Sequence, residues 1–318
     1  MHHHRPYDDA QDDFRRLWDF ISQDYAERSG HFRWTHGRLS DWKYNLVTDR
    51  KWVPTFLSRG AHLWLDPFGT VLGVALNENM ASTLTLLTRA RHAYLFEEML
   101  HWATEAWAGY AKPDGEGPGY LFTLLDPFSA HEQAVLAAHR WEDLGPTELT
   151  RRYDVAAKAA EPLALAEGFR LVTMQEDPNF ASKQRLHHSG WHQDKPVTDL
   201  HLRIFEYNRT SPIYNPALDF SAVAPDGEHV AGCIAFVDYE HGYAEIEKVC
   251  THSAYRRRGL AEAVIRTCFR ELHHLGIRTA YITGENDAAV SLYGKLGAAE
   301  AWPLNTWRKA MTPDPKLP

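Results

Sequence analysis

Residues 249–261 read VCTHSAYRRRGLA, and this stretch says more about the architecture than any other part of the chain. It lies between a predicted strand at 243–251 and a predicted amphipathic helix at 260–275, which carries apolar residues every three to four positions. A loop that enters a helix N-terminus exposes unpaired backbone N–H groups, and the helix dipole adds positive potential there. Gly259 allows a ligand close to the backbone, and the three preceding arginines add charge. The stretch therefore predicts a site for a pyrophosphate group.

A second motif follows at residues 284–297, which read GENDAAVSLYGKLG. The first motif fits R/Q-x-x-G-x-G/A and the second fits N-x-x-A-x-x-L-Y-x-x-x-G. Together they resemble the GNAT superfamily of acyl-CoA-dependent N-acyltransferases, and the resemblance covers residues 218–297. The sequence holds neither G-x-x-x-x-G-K-[ST] nor a G-x-G-x-x-G after a first strand, so other phosphate-binding folds are less consistent with it.

The resemblance implies an α/β (α+β) fold, with a mixed and mostly antiparallel central sheet flanked by helices. It also implies acetyl-CoA as co-substrate. The residues that it implies for contacts to this co-substrate are Val249, Cys250, Thr251, Arg256, Arg257, Arg258, Gly259, Leu260, Ala261 and Asn286.

Three roles in catalysis also follow from the resemblance. The N–H of Val249 is implied as the donor to the oxyanion, Tyr293 as the acid that protonates the departing thiolate, and Asn286 as a polar contact to the pantetheine arm. In this family the central strand parts from its neighbour and leaves backbone groups free. By position that strand is 244–251 here.

Two carboxylates on this strand are candidates for the general base. Because side chains alternate along a strand, Glu245 and Glu247 are predicted to share one face with Val249. Cys250 is predicted on the other face, as a packed thiol. Two neighbouring carboxylates raise the pKa of one of them toward a useful range. We favour Glu245 narrowly over Glu247; alternatively, the carboxylates pair with cations and an ordered water deprotonates the amine.

The order of predicted elements suggests two tandem copies of one fold, at 1–160 and 161–318. The pairs Leu144-Gly145 and Leu296-Gly297 are interpreted as equivalent helix ends. Aligning these ends puts Trp141 opposite Tyr293, and the first copy has TRARHA, without glycine, at 88–93. We therefore expect a degenerate N-terminal copy that has no cofactor site.

Composition excludes several classes of protein. The chain has 34 Lys+Arg and 42 Asp+Glu, a formal net charge of −8, so neither nucleic acid nor a membrane is an expected partner. Its three cysteines show no CxxC spacing, and a reduced, cytoplasmic protein is expected. No metal site is predicted, because His187, His188 and His192, which include an i, i+4 pair, are interpreted as surface residues of a helix without an HExxH motif.

The sequence thus predicts an N-acetyltransferase that uses acetyl-CoA to modify a primary amine of a small molecule or peptide by direct attack. The alternative is a non-catalytic protein that binds or senses acyl-CoA. Tyr293 and Asn286 favour catalysis, since binding alone needs no phenol beside the sulfur. Transfer to a hydroxyl or thiol, and a homodimer, stay open. The histidines at 2–4 are assigned no function.

Overall fold

The computed structural model describes residues 2–45, 55–113, 117–191 and 197–311. The chain folds as two compact units. Of the described residues, unit 1 comprises those up to Thr35, those from 55 to Glu148, and those from Trp302 onward. Unit 2 comprises His36–Asn45 and the described residues of Leu149–Ala301. These bounds differ from the predicted division at 160, because two short segments cross over between the halves of the chain.

The elements of both units are as follows. The strands are β1 (His3–Pro6), β2 (Ala61–Leu65), β3 (Val71–Leu76), β4 (Thr83–Thr88), β5 (Lys112–Pro113), β6 (Gly119–Leu125), β7 (Glu142–Asp154), β8 (Arg170–Thr173), β9 (Asp219–Val223), β10 (His229–Asp238), β11 (Tyr243–Thr251), β12 (Thr279–Gly284) and β13 (Glu300–Met311). The helices are α1 (Asp13–Glu27), α2 (His36–Tyr44), α3 (Phe56–Gly60), α4 (Phe96–Ala106), α5 (Ala130–Ala138), α6 (Val155–Ala159), α7 (Phe180–Trp191), α8 (Asp199–Asn208), α9 (Leu260–His274) and α10 (Asp287–Lys295).

Unit 1 is built on a sheet in the order β1-β2-β3-β4-β6-β13. Neighbouring strands are antiparallel except β4 and β6, which pair in parallel. The histidines near the N-terminus belong to this sheet, since His3 and His4 pair with Leu65 and Trp64 of β2. Its core joins the sheet to α4 and α5 through buried apolar residues such as Trp64, Phe96 and Leu136.

Unit 2 has a sheet in the order β7-β12-β11-β10-β9-β8, with β11 and β12 in parallel and the other neighbours antiparallel. The helices α7 and α9 cover opposite faces of it. Cys233 of β10 packs in the core with Cys268 of α9, whereas a Cβ on the preceding Gly232 would lie 2.6 Å from the Lys183 ammonium of α7. Helices α8 and α2 lie on the α7 side.

The two units share one strand order, which confirms the predicted fold class of two similar copies. Their closing strands, however, are exchanged between the halves of the chain. In unit 2 strand β12 pairs with β7, and in unit 1 strand β6 pairs with β13. The sequence predicts neither β7 nor β13, because Gly145-Pro146 and Pro303 are residues that central strands usually exclude.

The predicted helix end at Leu144-Gly145 is wrong. Helix α5 ends at Ala138, and residue 145 lies within β7. Matching the N-caps of α5 and α10, Ser129 and Asn286, puts Leu136 rather than Trp141 at the position of Tyr293. A leucine carries no proton for a thiolate, so unit 1 still lacks the acid at this position.

The stretch at 88–93 takes a different form in unit 1 from its counterpart in unit 2. It leads into a 3-10 turn at Ala90–Leu95 rather than directly into an α-helix. Arg89 is buried, and its guanidinium binds the side chains of Glu27 and Gln23 from α1. The charge of this arginine is therefore satisfied within the protein.

The longest helices, α1 and α9, have 15 residues each. Within the described ranges no helix combines the length and the apolar composition that a bilayer span requires.

Candidate active site

Strands β11 and β12 part in the middle of unit 2. Their pairing runs only from Tyr243↔Thr279 to Glu245↔Tyr281, although β11 continues to Thr251 and β12 to Gly284. Beyond Glu245 the two strands make no further pairs, so backbone groups on the facing edges are free of each other. The predicted parting of the central strand is confirmed.

The loop after β11 leads into the N-terminus of α9. Gly259 is the N-cap residue, with a left-handed φ of 76°, and a Cβ there would have no heavy atom within 4 Å. The N–H groups of Gly259, Leu260 and Ala261 have no hydrogen-bond partner among the described residues. Free N–H groups at the positive end of a helix dipole suit an anion.

The three arginines of this loop are exposed. Arg256 makes a long hydrogen bond of 3.4 Å to the Thr251 carbonyl, and the Arg258 guanidinium lies 5.4 Å from the centre of the Tyr255 ring. Arg257 adopts a left-handed φ of 62°. None of the three forms an ion pair among the described residues, so their charges are available to a phosphate group.

A β-bulge at Lys248 interrupts the alternation of side chains along β11. Ile234 of β10 lies opposite Glu247, and Gly232 lies opposite Cys250. Two steps along β10 therefore match three steps along β11, and Lys248 takes a left-handed φ of 51°. Bulges of this kind re-aim the side chains that follow them.

The bulge overturns the predicted faces of the residues after it. Val249 packs on the core beneath α9 together with Ile246, so it does not share a face with the glutamates. Cys250 lies on the α7 side, where its Cβ is 3.1 Å from a Cβ built on Gly190. The prediction that Cys250 packs as a buried thiol is confirmed, and burial raises its pKa to about 12.

Glu245 and Glu247 lie side by side on the face that α2 covers. Glu245 is 5% exposed, and its Oε2 accepts a hydrogen bond from the N–H of Gly37 at 3.1 Å. The two carboxyl groups are hydrogen-bonded to each other, and the N–H of Lys248 donates to Glu247 at 3.2 Å. Burial and the negative charge of Asp41 raise the pKa of Glu247. A raised pKa agrees with the prediction, but burial and Asp41 cause it, whereas the hydrogen bond with Glu245 lowers the pKa of Glu247.

Tyr293 lies on α10 next to the point where the strands part. It is 5% exposed, and one ring carbon is 3.2 Å from a Cβ built on Gly284, the last residue of β12. Its hydroxyl has no hydrogen-bond partner among the described residues. Burial, and then the negative charge of Glu247, raise the pKa of Tyr293, so the phenol stays protonated.

Asn286 is the N-cap of α10. Its Oδ1 accepts a hydrogen bond from the N–H of Ala289 at 3.0 Å. This contact orients the exposed side chain and leaves its amide N–H groups as donors. Asn286 therefore has a structural role as the cap of α10, in addition to its predicted contact to pantetheine.

Helix α2 is not predictable from the sequence, because its residues HGRLSDWKY give no amphipathic signal. Asp41 of this helix pairs with the Lys248 ammonium at 2.8 Å, and the His36 ring stacks on Tyr243 at 6.1 Å between centroids. The interpretation of His187 and His188 as surface residues is wrong, and His192 lies outside the described residues. His188 is 6% exposed, and burial lowers the pKa of His187 well below 6.5.

Parted central strands, a helix N-terminus with free N–H groups, a carboxylate pair and a buried tyrosine occur together in unit 2. Residues 183–298 match the model of the acetyltransferase (GNAT) family. None of the curated proteins matches the sequence.

Two solved structures are similar over nearly the whole chain. A GCN5-related N-acetyltransferase from Sphaerobacter thermophilus has a TM-score of 0.63 at 17% identity, and the match covers 98% of this chain and 96% of that one. A tandem GNAT protein from the clavulanic acid biosynthesis pathway has a TM-score of 0.60 at 14% identity, with 98% and 99% covered. At these identities the likeness shows the fold, which is that of tandem GNAT proteins.

Proposed function

We propose that the chain is an N-acetyltransferase that transfers the acetyl group of acetyl-CoA to a primary amine of a small molecule or peptide. The observation that carries this proposal is the parting of β11 and β12, with a carboxylate pair and a neutral tyrosine beside the gap. Acyl transfer to an amine needs a group that accepts a proton and another that donates one. Unit 2 offers both, whereas Leu136 and the bound Arg89 argue against a second site in unit 1.

The loop before α9 has the properties of a site for the pyrophosphate of acetyl-CoA. Gly259, Leu260 and Ala261 would supply N–H groups to it, and Arg256 to Arg258 would supply charge. The facing backbone of Val249 to Thr251, beyond the last pair with β12, would hold the pantetheine arm and the acyl carbonyl. A Cβ at Gly259 would stand in open space at the helix N-terminus, where the phosphates would lie.

These groups account for each proton that the reaction moves. Acetyl-CoA supplies an acyl thioester. The amine nitrogen forms the new bond to the carbonyl carbon of this thioester. The carbon–sulfur bond breaks, and its electron pair stays on sulfur. The carboxylate pair takes the proton that the amine loses. Tyr293 gives its hydroxyl proton to the sulfur and recovers one from the carboxylate pair, whose charge already acts on this phenol.

The sequence favours Glu245 as the base, with Glu247 or an ordered water as alternatives. Glu247 is the member whose pKa is raised, which brings a carboxylate closer to the range of a general base. We propose the pair as the base.

Release of free CoA, measured with a thiol reagent, tests the function against a broad panel of amines. We expect turnover with at least one primary amine and tight binding of acetyl-CoA by calorimetry. Tight binding without turnover on any amine would favour the acyl-CoA sensor instead. Turnover on hydroxyl or thiol acceptors alone would retain the enzyme but contradict the acceptor class.

A further inference from the structure

Helix α2 joins unit 2 although it comes from the first fifty residues of the chain, far outside the GNAT segment at 183–298. Ser40 makes a 2.8 Å hydrogen bond to Ser211, and Asp41 accepts one from Asn208 at 3.2 Å. The helix is therefore fixed over β10 and β11 by polar contacts at its middle as well as at its start.

The start of α2 lies directly on Glu245. The N–H of Gly37, in the first turn, donates to its carboxylate at 3.1 Å. A Cβ at Gly37 would lie 2.4 Å from Oε2 of Glu245 and 2.7 Å from a ring carbon of Phe236, distances that real structures do not show. The backbone can thus approach the carboxylate only because this position is glycine. A helix N-terminus stabilises a negative charge placed there.

The neighbours of Glu247 are different. Asp41 and Arg38 face it from α2, and Tyr293 faces it from α10. Lys248 directs its ammonium to Asp41 at 2.8 Å and to Asn208 at 3.2 Å, so this cation is already engaged. A hydrogen bond between two carboxyl groups needs one proton, and these surroundings favour the proton on Glu247.

We infer that α2 completes the catalytic site: the N–H of Gly37 holds Glu245 as an ionised positioning residue, and Glu247 is the carboxylate that exchanges protons with the acceptor amine. Glu245 then acts through Glu247 by accepting its hydrogen bond. This assignment rests on the proposed acetyl transfer. Because the pKa of Glu247 is raised, its base form is lost as pH falls through a value above the ordinary 4.5.

The variant Gly37→Ala in the full chain tests the role of α2. We expect kcat to fall at least about tenfold and the acid side of the pH profile to move, because the carboxylate must shift to make room for the methyl group. Acetyl-CoA affinity should not change. The matched control is Gly109→Ala, where a Cβ has no atom within 4 Å, and it should behave as wild type. An unchanged pH profile in Gly37→Ala overturns the inference.

Glutamine variants separate the two carboxylates. Glu247→Gln should remove the acid limb of the kcat/KM profile, whereas Glu245→Gln should keep a limb with a displaced midpoint and a lower kcat. Loss of the limb in Glu245→Gln alone would assign the proton transfer to Glu245 and contradict the inference.

A measurement that needs no turnover tests the role of α2 separately from the proposed acetyl transfer. In the full chain with ¹³C-labelled glutamate carboxyls, NMR titration should show a coupled pair, assigned through the two glutamine variants and displaced by Gly37→Ala. A coupled pair in a protein that acetylates no amine would refute the proposed function and retain the role of α2. Independent titration of both groups near 4.5 would refute that role.

A second inference concerns unit 1 and rests on a different cluster. Glu97 and His101 stand one turn apart on α4, and His139 follows the end of α5. His139 Nε2 lies 2.7 Å from Oε1 of Glu97, and its Nδ1 lies 3.3 Å from Nε2 of His101. One ligand atom from each of the three lies within 4.8 Å of the others.

The chemistry of this cluster suits a divalent transition metal. Two imidazoles and one carboxylate are a common ligand set for zinc, with remaining positions left to water. The hydrogen bonds that now join the side chains would be replaced by bonds to the metal, because a ligating histidine must lose the proton on its ligating nitrogen.

We propose that Glu97, His101 and His139 bind one Zn²⁺-type ion that links α4 to α5. Calorimetric titration of the full chain with Zn²⁺ should show one site, weakened at least about tenfold in His139→Ala and in His101→Ala. The control His274→Ala removes a histidine that faces only one carboxylate, Glu271 at 3.6 Å, and should leave the affinity unchanged. The absence of a site, or affinity insensitive to His139→Ala, overturns the proposal; the second result would place the metal elsewhere, for example on the histidines at 2–4.

Discussion

At the scale of single residues, the candidate site depends on keeping one acid neutral among charged groups. Tyr293 is buried next to a carboxylate pair, and both effects disfavour a phenolate. A phenol held in this state can give a proton to a leaving sulfur without being ionised beforehand. Its position at the end of β12 follows from the local chain, because Gly284 leaves room for the ring.

The variant Tyr293→Phe removes only the hydroxyl from this site. We expect turnover to fall by about one to three powers of ten, because the sulfur loses its proton donor, while acetyl-CoA affinity is nearly unchanged. Steady-state rates and calorimetry measure the two effects. Tyr239→Phe, at a residue 62% exposed in the same unit, is the control. An unchanged rate in Tyr293→Phe would remove this residue from the mechanism.

Lys183 is important for the stability of the folded protein. It is fully buried, donates hydrogen bonds to Ser221 and to the Phe220 carbonyl, and makes an ionic contact of 2.8 Å to Asp219. We expect Lys183→Ala to lower the free energy of unfolding by about 3 kcal/mol, because the buried Asp219 loses one of two cationic partners and keeps only Arg209 at 3.4 Å.

Urea unfolding measures this loss against an exposed ion pair on the same helix. Arg185 pairs with Glu228 at 2.8 Å, and both side chains are more than two fifths exposed. We expect Arg185→Ala to cost at most about 1 kcal/mol. Equal costs in the two variants would show that burial does not decide the strength of these pairs.

The residue types of the site are predictable from the sequence, but their orientation is not. The glutamates, Tyr293 and the arginines follow from motif and spacing. The bulge at Lys248 has no signal in the sequence, and it moves Val249 and Cys250 to faces opposite to those that simple alternation predicts. A single left-handed residue inside a strand is enough to cause this change.

At the scale of elements, the loop before α9 combines a free helix N-terminus with a glycine that has open space around it. The variant Gly259→Leu should raise the dissociation constant of acetyl-CoA by about 100-fold or more, because the side chain occupies the space for the phosphates and cannot easily adopt a left-handed φ.

The other end of the same helix supplies the control for this variant. Gly276 has the same φ of 76°, and a Cβ there also has no atom within 4 Å. Gly276→Leu should therefore carry the same backbone strain without affecting the dissociation constant. Equal losses of affinity in the two variants would attribute the effect to strain rather than to the phosphate site.

Regular elements with a clear period are predictable here, and their bounds agree with the structure to within a few residues. Strand β11 and helix α9 are examples. Helix α2 and strands β7 and β13 are not predictable in this way. Their pattern is irregular, and their stability comes from contacts with residues more than a hundred positions away.

At the scale of the whole molecule, the exchange of closing strands makes each unit dependent on both halves of the sequence. A fragment of residues 1–160 lacks β13, and a fragment of residues 161–318 lacks both β7 and α2. Each fragment would leave a long strand edge unpaired, which favours aggregation.

We therefore expect the two fragments to be insoluble when expressed separately and to form soluble protein when expressed together. The measurement is the soluble yield of each fragment alone and of the pair, with the intact chain as reference. A soluble, cooperatively unfolding 161–318 fragment would contradict this expectation and restore the division at 160 that the sequence suggests.

The exchanged strand β13 also bears on the order of events during synthesis. Its residues 305–311 pair with β6 and place Trp307 in the core of unit 1. On the ribosome β6 emerges long before these residues, so its edge stays open until residues 149–301, most of which belong to unit 2, have also been made. Contacts at such long sequence separation slow folding and prolong exposure to aggregation. Unit 1 is thus completed only after unit 2 has been translated.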